Sequence, residues 1–195
     1  MRNFPLGIRA AIAAWAVVVA AGMFLIWDYE MASGESGAVP ARWPVESTLQ
    51  LALDRPHLLL FAHPRCPCTR ASLEELARLM SDAGDRVVAD VVFLKPSGVD
   101  ESWVRDALWR RASDIPGVRV VDDLEGREAV RFGVRTSGHV LLYETAGNLV
   151  FSGGITASRG HEGDNSGAAA IAAWIEYGRK GLNETPVFGC SLATP

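Results

Sequence analysis

The chain has 195 residues, of which 49% are hydrophobic, 22% charged and 8% aromatic, with a formal net charge of −4. That length and apolar content suit one globular domain with a proper core, and they exclude a disordered or fibrous chain. Nineteen Lys and Arg face 23 Asp and Glu with no basic run, which argues against nucleic acid as a partner. There are three Cys, and an odd number cannot all be paired within one chain.

The charges are unevenly spread. Residues 1–27 hold Arg2 and Arg9 and no acid, and Ala10 to Trp27 are 18 consecutive uncharged residues. As a helix they span about 27 Å, close to the thickness of the hydrocarbon layer. Asp28 and Glu30 follow. The asymmetry predicts a single-pass transmembrane helix with a cytoplasmic N-terminus, the remainder lying outside. Trp27 and Tyr29 suit an interfacial aromatic belt. The rival reading is a cleaved secretory signal, but no convincing small-x-small site follows, although Ala20, Ala21 and Gly22 are small. Either reading exports the domain and exposes its cysteines to an oxidising compartment.

Residues 31–44, rich in Gly, Ser, Ala and Pro, read as a flexible linker between an anchor over 1–30 and a domain over 45–195. The apolar run 57–62 predicts a strand buried on both faces. Pro67 starts a helical pattern through Ser81, with Leu73, Leu76, Leu79 and Met80 on one side. A second strand is expected over 87–94, a helix over 102–112, a short strand over 118–121 and a short helix around 125–132. Val140–Tyr143 and Leu149–Phe151, joined through Ala146-Gly147-Asn148, read as a hairpin. A helix over 166–177 closes the domain. Alternation early and a hairpin late imply an α/β fold, a mixed sheet with helices on both faces.

The chemistry is expected where the first strand turns into its helix, at Cys66-Pro67-Cys68. Pro is favoured at the first helical position, which makes Cys66 a helix cap and places Cys68 in the first turn. Unpaired N–H groups and the helix dipole stabilise a thiolate there, as a nucleophile or a metal ligand. Arg65 and Arg70 add nearby positive charge. Cys190 lies beyond the last helix. As a resolving partner, a third ligand, a dangling thiol or half of a dimer disulfide, it stays open. His57 starts a strand and reads as structural. His161 sits in a polar loop, Arg159-Gly160-His161-Glu162-Gly163-Asp164-Asn165, rich enough in functional groups to belong to a site.

The strand, the cysteine-bearing turn and the helix resemble the thioredoxin superfamily, over about residues 45–178. A second segment, Phe132 to Tyr143, resembles the stretch that carries the superfamily's cis-proline into its hairpin. The resemblance implies a thioredoxin-like mixed sheet flanked by helices, preceded here by one transmembrane helix. The anchor makes the chain most similar to exported thioredoxin-like proteins of bacteria, which implies an inner-membrane protein with a periplasmic or otherwise extracytoplasmic domain. Residues 153–165 also resemble proteins labelled RedB.

Two departures stand out. The superfamily's Cys-x-x-Cys is here Cys66-Pro67-Cys68, and matching Pro67 and Cys68 to it puts Arg65 where the usual nucleophilic Cys stands. Residues two apart on a helix face different sides, so a disulfide between Cys66 and Cys68 is expected to be strained. Gly138 occupies the cis-proline position, and the loss of that ring is expected to open the site. His63 and His139 should both lie near the cysteine pair.

Two functions follow. In a thiol–disulfide oxidoreductase without cofactor, Cys66, taken as the more exposed thiol, attacks and Cys68 or Cys190 resolves, with His63 or His161 assisting proton transfer. Its partners are exported thiol proteins or a membrane electron donor. In a copper-binding or copper-delivering protein, Cys66, Cys68 and His139 are the ligands. That reading rests on a likeness to the Sco-type copper proteins, whose ligand His precedes the hairpin strand.

Overall fold

The computed structural model describes residues 5–178 and 181–193. Arg2, one of the two cations before the apolar segment, lies outside the described residues, as do the outermost positions of the anchor and domain ranges. The chain divides into two compact units between Ala32 and Ser33. The first is one helix, α1 (Leu6–Met31), whose 26 residues are long and apolar enough to cross a membrane. None of its residues is buried.

The second unit is built on a five-stranded sheet in the order β3-β2-β1-β4-β5. Its strands are β1 (His57–Ala62), β2 (Val88–Lys95), β3 (Val118–Leu124), β4 (His139–Tyr143) and β5 (Leu149–Gly154). β1, β2 and β3 run parallel, while β4 is antiparallel to β1 and β5 antiparallel to β4. Every residue of β1 is buried, as its unbroken apolar run demands of a central strand covered on both faces. The connecting helices are α2 (Pro67–Ala83), α3 (Glu101–Val104), α4 (Ala107–Ser113), α5 (Arg127–Arg131) and α6 (Ser166–Tyr177). The single helix predicted over 102–112 is two short ones, because the Asp106 side chain accepts the Ala107 N–H at 2.7 Å and starts a new helix.

Side-chain alternation splits the core in two. Leu58, Leu60 and Ala62 of β1 pack with Leu73, Leu76 and Leu79 of α2 and Ile171 of α6. Leu59 and Phe61 point the other way, into a cluster with Phe132, Leu141 and Tyr143 beside α5. Burying each of these large side chains contributes about 1.5–3 kcal/mol.

The segment expected to be a flexible linker lies along the domain from Gly34 onward. Gly34 N–H donates to the Val187 carbonyl at 2.8 Å, Trp43 N–H to Gly147 at 2.8 Å, and Leu149 N–H to Ala41 at 2.9 Å. The Trp43 ring sits 5.1–5.2 Å from those of His57, Phe132 and Tyr143. Gly37 passes so close to the Gly133 carbonyl that a Cβ would lie 1.8 Å from its oxygen. Composition read as a tether because long-range main-chain bonds leave no mark on local sequence.

That approach makes Gly37→Ala a test of the strap. Overpacking is expected to cost about 1–3 kcal/mol in urea unfolding of the full chain in detergent. Amide exchange at Trp43 and Leu149 should accelerate with it. Unchanged exchange would mean that the strap is not held at Gly37.

Candidate functional site

β1 ends at Ala62, and the turn His63-Pro64-Arg65-Cys66 carries the chain into α2. Cys66 N–H donates to the His63 carbonyl at 3.1 Å, and Thr69 N–H to the Cys66 carbonyl at 3.1 Å. Pro67 takes the first helical position, where a missing N–H costs no bond. Ser137, just before β4, braces this turn. Its Oγ accepts the His63 N–H at 2.9 Å and is bonded at 2.9 Å to the Thr69 hydroxyl. Gly138 N–H donates to the Phe61 carbonyl at 2.8 Å, locking the same segment onto β1.

The C-terminal tail then returns to this corner. Ser137 N–H donates to the Cys190 carbonyl and Leu192 N–H to the Arg135 carbonyl, both at 2.8 Å, with Thr136 and Ser191 paired antiparallel between them. Gly138 has φ +88°, and a Cβ there would meet Ser72 Oγ at 2.9 Å and the Phe188 carbonyl at 3.6 Å. The expectation that losing the proline ring opens the site is corrected here. Ser72 and the tail fill the space.

The three sulfurs meet. The side chains of Cys68 and, more weakly, Cys190 stand close enough to that of Cys66 to favour its thiolate. Together these outweigh the cost of burying the charge and lower the Cys66 pKa to about 4. The two neighbours respond in the opposite sense. Cys68 is pushed far up, chiefly by the Cys66 side chain beside it and then by burial. Cys190 rises to about 11, chiefly by burial and then by the Cys66 side chain. Of the three thiols, Cys66 is the one whose ionisation this arrangement favours. Exposure runs against the sequence expectation: Cys66, taken as the more exposed thiol, is 1% exposed, while Cys68 and Cys190 are half-buried. The cap position that stabilises the thiolate also tucks it beneath the tail.

The cation that acts on these sulfurs is one that the sequence left among the loop's polar residues. Arg65 is exposed and lies over the Trp103 ring at 5.3 Å, and Arg70 faces Glu162 at 3.9 Å. Arg159 donates to the Gly189 carbonyl at 2.8 Å, and its charge pulls the pKa of both Cys68 and Cys190 downward against burial. Its loop is clamped to α2 by Glu75, a buried carboxylate that accepts the Gly163 N–H at 2.6 Å and pairs with Arg78. Helical spacing placed Glu75 on α2 without revealing this partner, 88 residues away.

The histidines take separate places. His63 is buried, its Nδ1 accepts the Arg65 N–H at 3.1 Å, and its ring meets Trp103 edge-on at 5.7 Å. His161 is exposed on its loop, with Nδ1 at 2.7 Å from Ser158 Oγ. His57, at the far end of β1, stands 3.2 Å from Asp90. His139 corrects the copper set. Val140 faces α2, so strand alternation turns His139 to the opposite side of the sheet, where its Nε2 is bonded to Ser152 Oγ at 2.8 Å. Burial lowers its pKa to about 4 and keeps it neutral. Cys66, Cys68 and His139 are therefore no ligand set, and no cluster of His, Cys, Asp or Glu able to hold a metal ion occurs among the described residues.

The parallel β1–β2–β3 half, the antiparallel β4–β5 hairpin and the cysteine cap on the central strand's helix define a thioredoxin-like fold. No protein-family model and no curated protein matches the chain. Solved structures do match. A hypothetical protein from Sinorhizobium meliloti 1021 is 19% identical with a TM-score of 0.57, over 84% of this chain and 97% of that one. An uncharacterized conserved protein from Geobacillus kaustophilus is 17% identical with a TM-score of 0.59, over 85% and 93%. An exposed lipoprotein thioredoxin of Streptococcus pneumoniae is 22% identical with a TM-score of 0.46, over 64% and 85%. At these identities what the first two share with this chain is the fold.

Two measurements check the electrostatics. Thiolate absorbance near 240 nm in the reduced full chain should hold from neutral pH downward and vanish as pH falls through about 4, because Cys66 is protonated only below its lowered pKa. Cys66→Ser should remove this signal, and a signal that vanishes near pH 8 would refute the assignment. Arg159→Gln should slow alkylation of Cys190 at pH 8 several-fold, since the lost cation lets burial push that thiol higher still. Faster alkylation would show that Arg159 acts mainly by holding the tail.

Proposed function

We propose that the protein is a thiol–disulfide oxidoreductase, anchored in the bacterial inner membrane by α1, with its thioredoxin-like domain in the periplasm. The observation that carries this reading is the convergence of Cys66, Cys68 and Cys190 around one stabilised thiolate at the start of α2. Exchange needs a thiolate and a second sulfur within reach, and both are supplied by the chain itself. The reaction exchanges two electrons. Two protein thiols become a disulfide as a partner's disulfide becomes two thiols, or the reverse, and no cofactor takes part.

Of the possible internal pairs, Cys66–Cys190 suits the chemistry best. Cys66 and Cys68 lie close together but only two residues apart across Pro67, and so short a loop strains the geometry a disulfide needs. Cys190 approaches on a separate segment and is free of that restraint. Exported thiol proteins, or a membrane electron donor, are the partners. Arg9 before the apolar stretch and Asp28 and Glu30 after it support the orientation.

Equilibration of the full chain with glutathione redox buffers tests the reading. One reversible two-electron transition is expected, with a Cys66–Cys190 disulfide in the oxidised form. Cys66→Ser should lower exchange with a protein disulfide at least about 100-fold, the loss of a stabilised thiolate. A chain that forms no internal disulfide across the whole range would overturn it.

A further inference from the structure

The buried position of the thiolate bears on how a partner can react. A disulfide is opened by in-line attack of a thiolate on one of its sulfurs, so the sulfur attacked must be reachable from solvent. Cys66 is 1% exposed, capped by the turn beneath it and by the tail above it, whereas Cys190 is half-buried. Arg159 stands beside Cys190, bonded to the carbonyl of the preceding residue, Gly189. Its positive charge acts on Cys190 and favours the approach of an anionic sulfur there.

Resting on the oxidoreductase reading above, we propose that Cys190 is the sulfur attacked by a substrate thiol and Cys66 the sulfur that leaves. This reverses the roles that the helix-cap position suggests, where the capping cysteine would meet the substrate. The substrate is an extracytoplasmic peptide or protein bearing two thiols. Its first thiolate attacks Cys190 Sγ, the Cys66–Cys190 bond breaks, and a substrate–Cys190 disulfide forms. The electron pair of the broken bond goes to Cys66 Sγ, which remains a thiolate beside the Cys68 side chain. The second substrate thiol gives up its proton to solvent, and its thiolate attacks the substrate sulfur of the mixed disulfide. A substrate disulfide is released, and Cys190 departs as a thiolate and takes a proton from solvent. The substrate has lost two electrons, and the protein pair has gained them. An external disulfide restores the Cys66–Cys190 bond.

Cys68 has a distinct part in this scheme. It is neither entry nor partner, and its side chain lies beside Cys66, where it favours the charge on that sulfur once it has left. A leaving thiol of low pKa departs faster, so this neighbour favours opening at Cys190.

The test uses the full chain in detergent, oxidised with glutathione disulfide and then mixed briefly with reduced glutathione. After acid quenching and maleimide blocking at low pH, peptide mapping locates the glutathione. At least ten times more is expected on Cys190 than on Cys66, with Cys66 carrying the maleimide. Glutathione mainly on Cys66 or Cys68 overturns the proposal and leaves the oxidoreductase reading standing. An internal disulfide that never forms with glutathione disulfide overturns both.

Discussion

The site depends on one seam, the antiparallel contact of Gly189–Leu192 with Arg135–Gly138. Two main-chain bonds of 2.8 Å, from Ser137 to Cys190 and from Leu192 to Arg135, hold it. Gly189 fits because a Cβ there would lie 1.9 Å from the Ser137 carbonyl oxygen, so only glycine lets the backbones approach so closely. Without the seam the helix cap would carry two cysteines in a poor geometry for bonding each other. With it, a third sulfur arrives from more than a hundred residues away. Ser137 serves both sides, bonding the tail through its N–H and the cysteine turn through its hydroxyl. The same seam fills the space above Gly138 and buries Cys66.

Confinement then sets the chemistry. Three thiolates so close together cannot all be charged, because each further charge is opposed by burial and by its neighbours. Ionisation is favoured at Cys66, at the start of a seventeen-residue helix, and disfavoured at Cys68 and Cys190. Arg159 tempers this for the two outer sulfurs without reversing it. The position of Arg159 depends in turn on Glu75, whose carboxylate pins the loop at Gly163.

Periodicity made the elements legible. β1 and α6 fall at the residues their apolar patterns indicate, and Cys66-Pro67-Cys68 marks the helix start that the structure shows. What sequence could not carry was anything that depends on a distant partner. The strap over 34–44 is polar and glycine-rich, as a tether would be, yet its main-chain groups are satisfied by Val187, Gly147 and Leu149. His139 sits beside the cis-proline position in sequence, but strand alternation sends its ring to the other face from Val140. Cys66 is buried for the same reason, since the tail that covers it is distant in sequence.

Both ends of the domain meet at Thr136. Its hydroxyl donates to the Glu35 carbonyl of the strap at 2.9 Å, and its main chain pairs with Ser191 of the tail. Gly34 in turn donates to Val187, two residues before Gly189. The strap, the segment before β4 and the tail are therefore hydrogen-bonded to one another in sequence, and a shift of the tail cannot leave the strap untouched. A sulfur on that tail is held by bonds that extend to the first residues after α1. The strap that follows α1 in sequence and the tail that carries Cys190 therefore belong to one bonded layer, so the position of the third sulfur depends on contacts at both ends of the domain.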